Sequence, residues 1–266
     1  MQLIGEAIRH QVYGKGIVTG WDKGVVTVCF SGLEKKFIYP DAFSKYLILK
    51  NPEKQQSILE DLGEREKAEE QKRKARDRAD AHRAFLRTMK ISSVSQAAFH
   101  LKPEETDTVF SQWQVSTGVY VSGYAKGEAR VPEKLMPNSA CVLTVRPKGQ
   151  PESQRKIAGI FMVKDTFIGK DCQDGLISAH PSYRLRLAPE EQPLFWPYMT
   201  DDPKKQRWGN TTFKYLPNTL VEAVLYDLMQ AAKDDPDREE FLERFHDYYC
   251  RLNRLEPVHT EHHTTA

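Results

Sequence analysis

Hydrophobic and polar positions change their spacing twice along this chain, and the changes divide it. Between Ile4 and Leu49 apolar residues alternate over short stretches. Val25-Val-Thr-Val-Cys-Phe30 sets Val26, Val28 and Phe30 on one face of a strand. Ile17-Val-Thr-Gly-Trp21 and Lys35-Lys-Phe-Ile-Tyr39 read as neighbouring strands, with turns at Gly14-Lys-Gly16, Asp22-Lys-Gly24 and Ser31-Gly-Leu-Glu34. Pro40-Asp-Ala-Phe43 opens a short helix with Asp41 as its N-cap. Residues 1–50 are therefore expected to form a small β-barrel. From Asn51 to Lys90 the alternation disappears. The run Glu64-Arg-Glu-Lys-Ala-Glu-Glu-Gln-Lys-Arg-Lys-Ala-Arg has no Pro and no β-branched residue, and its Glu residues stand three and four positions from Lys and Arg. Residues 51–90 are expected to be one exposed helical linker.

Past residue 91 short apolar runs return. Gly118-Val-Tyr-Val-Ser-Gly123, Ala140-Cys-Val-Leu-Thr-Val145, Ile157-Ala-Gly-Ile-Phe-Met-Val163 and Tyr183-Arg-Leu-Arg-Leu187 read as strands of a mostly antiparallel sheet or closed barrel. Ser92-Ser-Val-Ser-Gln96 has the composition of a helix N-cap, and Lys102-Pro-Glu-Glu-Thr106 opens or interrupts a short helix. Apolar residues at 220, 221, 224, 225, 228 and 229 give one amphipathic helix. Phe241, Leu242, Phe245, Tyr248, Tyr249 and Leu252 give a second. Residues 91–256 thus form the second domain, followed by a tail, 257–266, expected to be disordered. The fold class expected is α+β.

Composition narrows the classes of function. A net charge of +2 with 29% charged residues makes any basic surface local, and the densest basic run is Lys72-Arg-Lys-Ala-Arg76 on the helix. Lys72, Arg73, Lys74 and Arg76 are candidate phosphate contacts there. Cys29, Cys141, Cys172 and Cys250 form no CxxC pair, which points away from a disulfide framework and toward a reducing cytoplasm. No apolar run approaches the roughly 18 residues of a membrane span, so no membrane partner is expected.

The order Val12-Tyr-Gly-Lys-Gly-Ile-Val, Val25-Val-Thr-Val-Cys-Phe, Glu34-Lys-Lys-Phe-Ile-Tyr-Pro-Asp-Ala-Phe resembles the Tudor-like or SH3-like barrels appended to bacterial helicases. That resemblance implies docking of a protein or nucleic-acid partner by residues 1–50. In the second domain Tyr120-Val121, Val142-Leu-Thr-Val145, Ile157-Ala-Gly-Ile-Phe161, Ser178-Ala-His180, Tyr183-Arg-Leu-Arg-Leu187, Phe195-Trp196 and Trp208 resemble the PUA-like barrels, the group of the EVE, ASCH and YTH domains. This implies a β-barrel flanked by helices whose pocket reads a modified base of DNA or RNA.

An unpaired base stacks on aromatic rings for about 1–3 kcal/mol each. Trp113, Tyr120, Trp196, Tyr198 and Trp208 are candidate platforms, and Ser178, His180, Arg207 and Asn210 are candidate edge or phosphate contacts. Trp196 and Trp208 lead because they stand beside Pro and Gly, where rings are less often needed for packing. The expected function is nucleic-acid binding by DNA- or RNA-directed modules, without a cofactor. The alternatives are an enzyme that modifies or cleaves nucleic acid in phage defence, using Asp165 and Asp171 or Asp201 and Asp202 for a metal or His180 as acid or base, and a structural adaptor. His246 and Cys250 stand four apart on one helix face, with His259, His262 and His263 in the tail, a spacing unlike a standard zinc finger.

Overall fold

The computed structural model describes residues 3–256, which fall into two units divided between Arg87 and Thr88. In the first unit the alternation becomes five strands, β1 (Ala7–His10), β2 (Gly14–Asp22), β3 (Val25–Phe30), β4 (Leu33–Ile38) and, after helix α1 (Ala42–Lys45), β5 (Leu47–Leu49). They pair antiparallel in the order β4-β3-β2-β1-β5. Val26, Val28 and Phe30 are buried as their period requires, alongside Ile8, Val18 and Leu47.

Two local expectations change. Gly14-Lys-Gly16 starts β2 instead of turning; the turn is Gln11–Tyr13, held by His10 Nδ1, which accepts from the N–H groups of Val12 (2.9 Å) and Tyr13 (3.2 Å). Gly16 is needed for close approach, since a Cβ there would lie 2.6 Å from the Phe30 ring. Asp41 occupies the N-cap position of α1, yet its side chain makes no capping bond.

Helix α2 (Pro52–Thr88) runs 37 residues, roughly 55 Å at 1.5 Å per residue. Its start belongs to the first unit. Asn51 Oδ1 caps it by accepting from Glu53 and Lys54 N–H, Gln55 exchanges bonds with Leu49 N–H and the Phe43 carbonyl, and Ile58 and Leu62 are buried. Residues 51–62 are thus the lid of a core as well as the beginning of a spacer. Beyond Leu62 the surface is charged, with Arg65–Glu69 and Lys74–Glu70 pairs at helical spacing.

The second unit is a curled six-stranded sheet made of β6 (Gln96–Leu101), β7 (Gln114–Ser116), β8 (Ala140–Val145), β9 (Lys156–Val163), β10 (Leu176–Arg186) and β11 (Phe213–Leu216). The order is β11-β6-β8-β9-β10-β7, antiparallel except for the β6/β8 pair. Helix α3 (Thr106–Gln112) joins β6 to β7, the turn α4 (Trp196–Met199) precedes β11, and α5 (Asn218–Ala231) and α6 (Pro236–Asn253) follow. Ser92–Ser95 leads into a strand and caps no helix. Gly118–Gly123 holds only isolated bridges, Val119 to Ala129 and Tyr120 to Lys126, and the strand lies just before it.

Both faces of the sheet are covered. Ala97, Phe99, Cys141, Leu143, Phe161 and Val163 pack with Phe110 of α3, whereas Ala98, Ala140, Val142, Ile160 and Met162 pack against α5 and α6. That is why β8 and β9 read as continuous apolar runs. β10 pairs with β7 over Leu176–Ser178 and with β9 from Ala179 on, and it bulges within the second ladder between Ala179 and Arg184. At the start of β6 Gln96 Nε2 donates to Asn218 and Asn253 at 3.0 Å each, and Asn138 Nδ2 donates to Asn253 at 2.8 Å. This buried amide set ties both terminal helices to β6 and β8.

Candidate nucleic-acid interface

The C-terminal end of β6, helix α3, strand β7 and loop 209–212 enclose a groove of about 680 Å³ whose polar lining includes Thr108, Gln112, Gln114, Ser116 and Asn210 together with the charged Lys102, Glu104 and Glu105, over an apolar floor that includes Phe99, Leu101 and Val115. Trp113 adopts a left-handed backbone (φ 51) that ends α3 and reverses the chain into β7, so Gln112 and Gln114 flank one reversal at the groove. Gly118 closes the far wall. Its φ is +74, and a Cβ there would sit 2.3 Å from Thr212 Oγ1.

The wall at 209–212 rests on a buried cation. Arg155 is 1% exposed, its guanidinium clamped by both carboxylate oxygens of Glu152 and donating from Nη1 to Thr144 Oγ1 at 3.2 Å. Its Cζ lies 4.3 Å from the centre of the Trp208 ring, and Trp208 Nε1 donates to the Thr211 carbonyl at 2.7 Å. Arg155 Nη1 also lies 2.9 Å from His100 Nδ1. Burial, reinforced by the Arg155 charge, holds the His100 pKa below the ordinary imidazole value. A neutral ring that accepts at Nδ1 carries its proton on Nε2, so His100 is a fixed donor among the groove residues.

The candidate residues scatter around this frame. Asn210 is in the groove wall, and Ser178 stands one layer away, accepting from Gln114 Nε2 at 3.1 Å. Tyr120 is 39% exposed beside Arg130, whose guanidinium lies 5.6 Å from its ring centre. Trp113 is half-buried beneath the Arg184 guanidinium at 5.1 Å, and Arg207 is exposed next to the wall.

The two leading platforms are core residues. Trp196 is 2% exposed, packed edge-on against Phe195 with its Nε1 buried and unbonded, and Trp208 is 5% exposed with Arg155 over its ring. Standing beside Pro197 and Gly209 does not leave them open, because α5 and α6 cover the first and the groove wall hangs on the second. Tyr198 is half-buried and donates to Asp227 at 2.8 Å. His180 uses both nitrogens: Nδ1 accepts from the N–H groups of Ser182 and Tyr183, bracing the β10 bulge, and Nε2 lies 3.5 Å from Asp165, which also accepts from Tyr248. Both ring nitrogens thus face groups of the fold. Asp202 caps the turn at 203–205 by accepting from Lys204 N–H. On α2, Lys72, Arg73, Lys74 and Arg76 are exposed among Glu66, Glu69 and Glu70, with Lys74 paired to Glu70 at 2.8 Å.

An arm projects beside the groove, in place of the strand expected from the spacing at Gly118–Gly123. Residues 117–130 leave the groove wall at Gly118 and carry Val119, Tyr120, Val121 and Tyr124, all exposed, with Tyr124 wholly in solvent. Gly118, Gly123 and Gly127 all have φ between +74 and +90. Three glycines at spacings of five and four were the signal that Val-Tyr-Val is a looped segment and not a ladder strand.

Comparison with protein-family models, with curated proteins and with solved structures gave no match. Among the described residues no helix is long and apolar enough to cross a membrane.

Proposed function

We propose that this chain binds DNA or RNA containing unpaired bases, through the groove and arm of its second unit, and that this unit is a PUA-like domain. The observation that carries the reading is the arm. Tyr120 and Tyr124 present rings to solvent with Lys126 and Arg130 beside them, and the arm is rooted in a wall of amide and hydroxyl groups. Stacked rings supply affinity that tolerates any base, and the donors and acceptors of Gln112 and Asn210, with His100 held by Arg155, supply choice at the base edge. In this reading the first unit recruits a second partner as a Tudor- or SH3-like barrel does. The five-stranded order, with β5 returning beside β1, supports that assignment.

The test is fluorescence anisotropy with single-stranded and duplex oligonucleotides, modified and unmodified. Tyr124→Ala and Tyr120→Ala should each cost about 1–3 kcal/mol of affinity, roughly 5- to 150-fold, at unchanged melting temperature. Full affinity in both folded variants removes the arm from the interface, and absence of binding by the wild-type chain at low salt removes the reading.

A further inference from the structure

The groove leaves unused the most concentrated set of metal-capable side chains among the described residues. Glu222 on α5 and His246 and Cys250 on α6 bring their ligand atoms within 4.8 Å of one another, and all three residues are buried. His246 Nε2 lies 3.0 Å from Glu222 Oε1 and 3.6 Å from Cys250 Sγ. We infer that Glu222, His246 and Cys250 hold a zinc ion that fastens α5 to α6.

Three observations carry this. First, the two separations from Nε2 fit one central ion, with the Glu222 carboxylate and Cys250 Sγ within 4.8 Å of each other. Zinc bonded to sulfur at about 2.3 Å and to nitrogen and oxygen at about 2.0–2.2 Å in a tetrahedron places sulfur about 3.5 Å and oxygen about 3.3 Å from the nitrogen. Second, the convergence is on a single ring atom. Nε2 is nearer Sγ than is Nδ1, which lies 4.0 Å away, and one N–H cannot point at both a carboxylate and a sulfur. A hydrogen-bonded Glu–His pair with Nε2–H on Glu222 would leave the thiol only its longer, 4.0 Å contact to Nδ1. Third, the charges close. A carboxylate and a thiolate offset a divalent cation in the apolar surroundings of Val221, Leu225 and Phe245, where an unbalanced charge is costly. Residues four apart on a helix share a face, and the neighbouring helix supplies the third ligand. The second Glu222 oxygen or a water completes four-coordination. On binding, the Cys250 thiol proton leaves to solvent as the sulfur–zinc bond forms.

The experiment uses the full chain and a second full-length chain carrying His259→Ala, His262→Ala and His263→Ala, which removes the tail histidines as competing ligands. Both should purify with one zinc ion per chain by elemental analysis. After exchange, both should take up one cobalt(II) ion with the near-ultraviolet thiolate-to-metal band and strong visible absorption of a tetrahedral site. Cys250→Ala should lose the thiolate band, and His246→Ala should lose at least tenfold in metal affinity. Chelation should lower the melting temperature of the second unit. Folded tail-substituted chain that takes up neither metal overturns the assignment, as does cobalt uptake without a thiolate band. Should Cys250→Ala fail to fold, the cobalt spectrum of the tail-substituted chain alone decides.

Discussion

The two sheets of this protein are built from strands of similar length and treat their faces differently. In the first unit β3 alternates buried with half-buried positions, and Ile17, Leu33, Ile38 and Ile48 stand more than half exposed. In the second, β8 and β9 are buried residue after residue, because α5 and α6 cover one face and α3 with the curl of the sheet covers the other. Buried on both faces, β8 and β9 have no surface on which to read a ligand. Its exposed large apolar side chains are accordingly those of the arm, Val119, Tyr120, Val121 and Tyr124, together with Leu176 and Leu194 at strand edges. Apolar groups kept in water on an otherwise well-covered unit mark contact surfaces. The difference thus separates where each unit keeps its stability from where it can meet a partner.

The strongest way to break the comparison is to remove volume from one sheet and polarity contrast from the other. Phe161→Ala, at a fully buried position of β9, should cost about 3–5 kcal/mol of the second unit's stability. Ile17→Thr, on the open side of β2, should change the first unit by no more than about 0.5 kcal/mol. Urea titrations followed by tryptophan emission separate the units, since Trp21 reports the first and Trp113, Trp196 and Trp208 the second. Comparable losses in both would mean the first sheet is covered as fully as the second.

A smaller effect sharpens the account of the groove wall. Burial and the Arg155 charge depress the His100 pKa, and burial depresses that of His180 despite Asp165. For a base whose folded pKa lies below its unfolded value near 6.5, the stabilising contribution is complete above about pH 6.5. It is lost as pH falls from there toward the folded pKa, since the unfolded chain takes up a proton that the folded one refuses. The second unit's urea midpoint, measured with chelator present, should therefore drop between about pH 7 and about pH 5.5. His100→Asn, whose carbonyl can still accept from Arg155, should flatten part of that drop and leave the part due to His180. An unaltered slope in His100→Asn would show that His100 charges freely and that the Arg155 bond does not fix its tautomer.

Much of this architecture was legible because period and burial agree. The face Val26-Val28-Phe30, the helix from residue 52, the runs β8 and β9, and the apolar stripes of α5 and α6 all follow from spacing alone. β6 was hidden because Gln96-Ala-Ala-Phe-His-Leu101 is a central strand whose small and polar residues are required by close packing and by the Gln96 bonds to Asn218 and Asn253. The candidate site was legible only in part. Asn210 and Tyr120 could be named from residue type. That Trp208 would lie under Arg155 could not, because the partners are 53 positions apart and their meeting depends on how the sheet curls. Glu222 escaped for the same reason: on its own helix it is one acid among apolar residues, and only the α5/α6 packing sets it against His246.

The last prediction concerns the segment that belongs to neither sheet. From Glu64 to Ala81 α2 is exposed, and its basic residues alternate with acids in pairs such as Lys74–Glu70. Exposed pairs of this kind contribute little to stability, about 0.3–0.5 kcal/mol each, so replacing Lys72, Arg73, Lys74 and Arg76 with Gln should leave both units' unfolding midpoints nearly unchanged. The readout that matters is salt. If these four cations meet phosphates, the slope of log affinity against log salt should become shallower by close to one for each contact removed, equally for every oligonucleotide sequence. Intact slopes would assign the helix the mechanical role alone, a stiff rod of roughly 1.5 Å per residue. The acids interleaved at Glu66, Glu69 and Glu70 weigh toward that outcome, because each cancels a neighbouring cation before a phosphate can use it. Changing those three acids to Gln is the converse experiment: it should steepen the slope if the cations are held in check by the acids and leave it alone if the helix never approaches the nucleic acid.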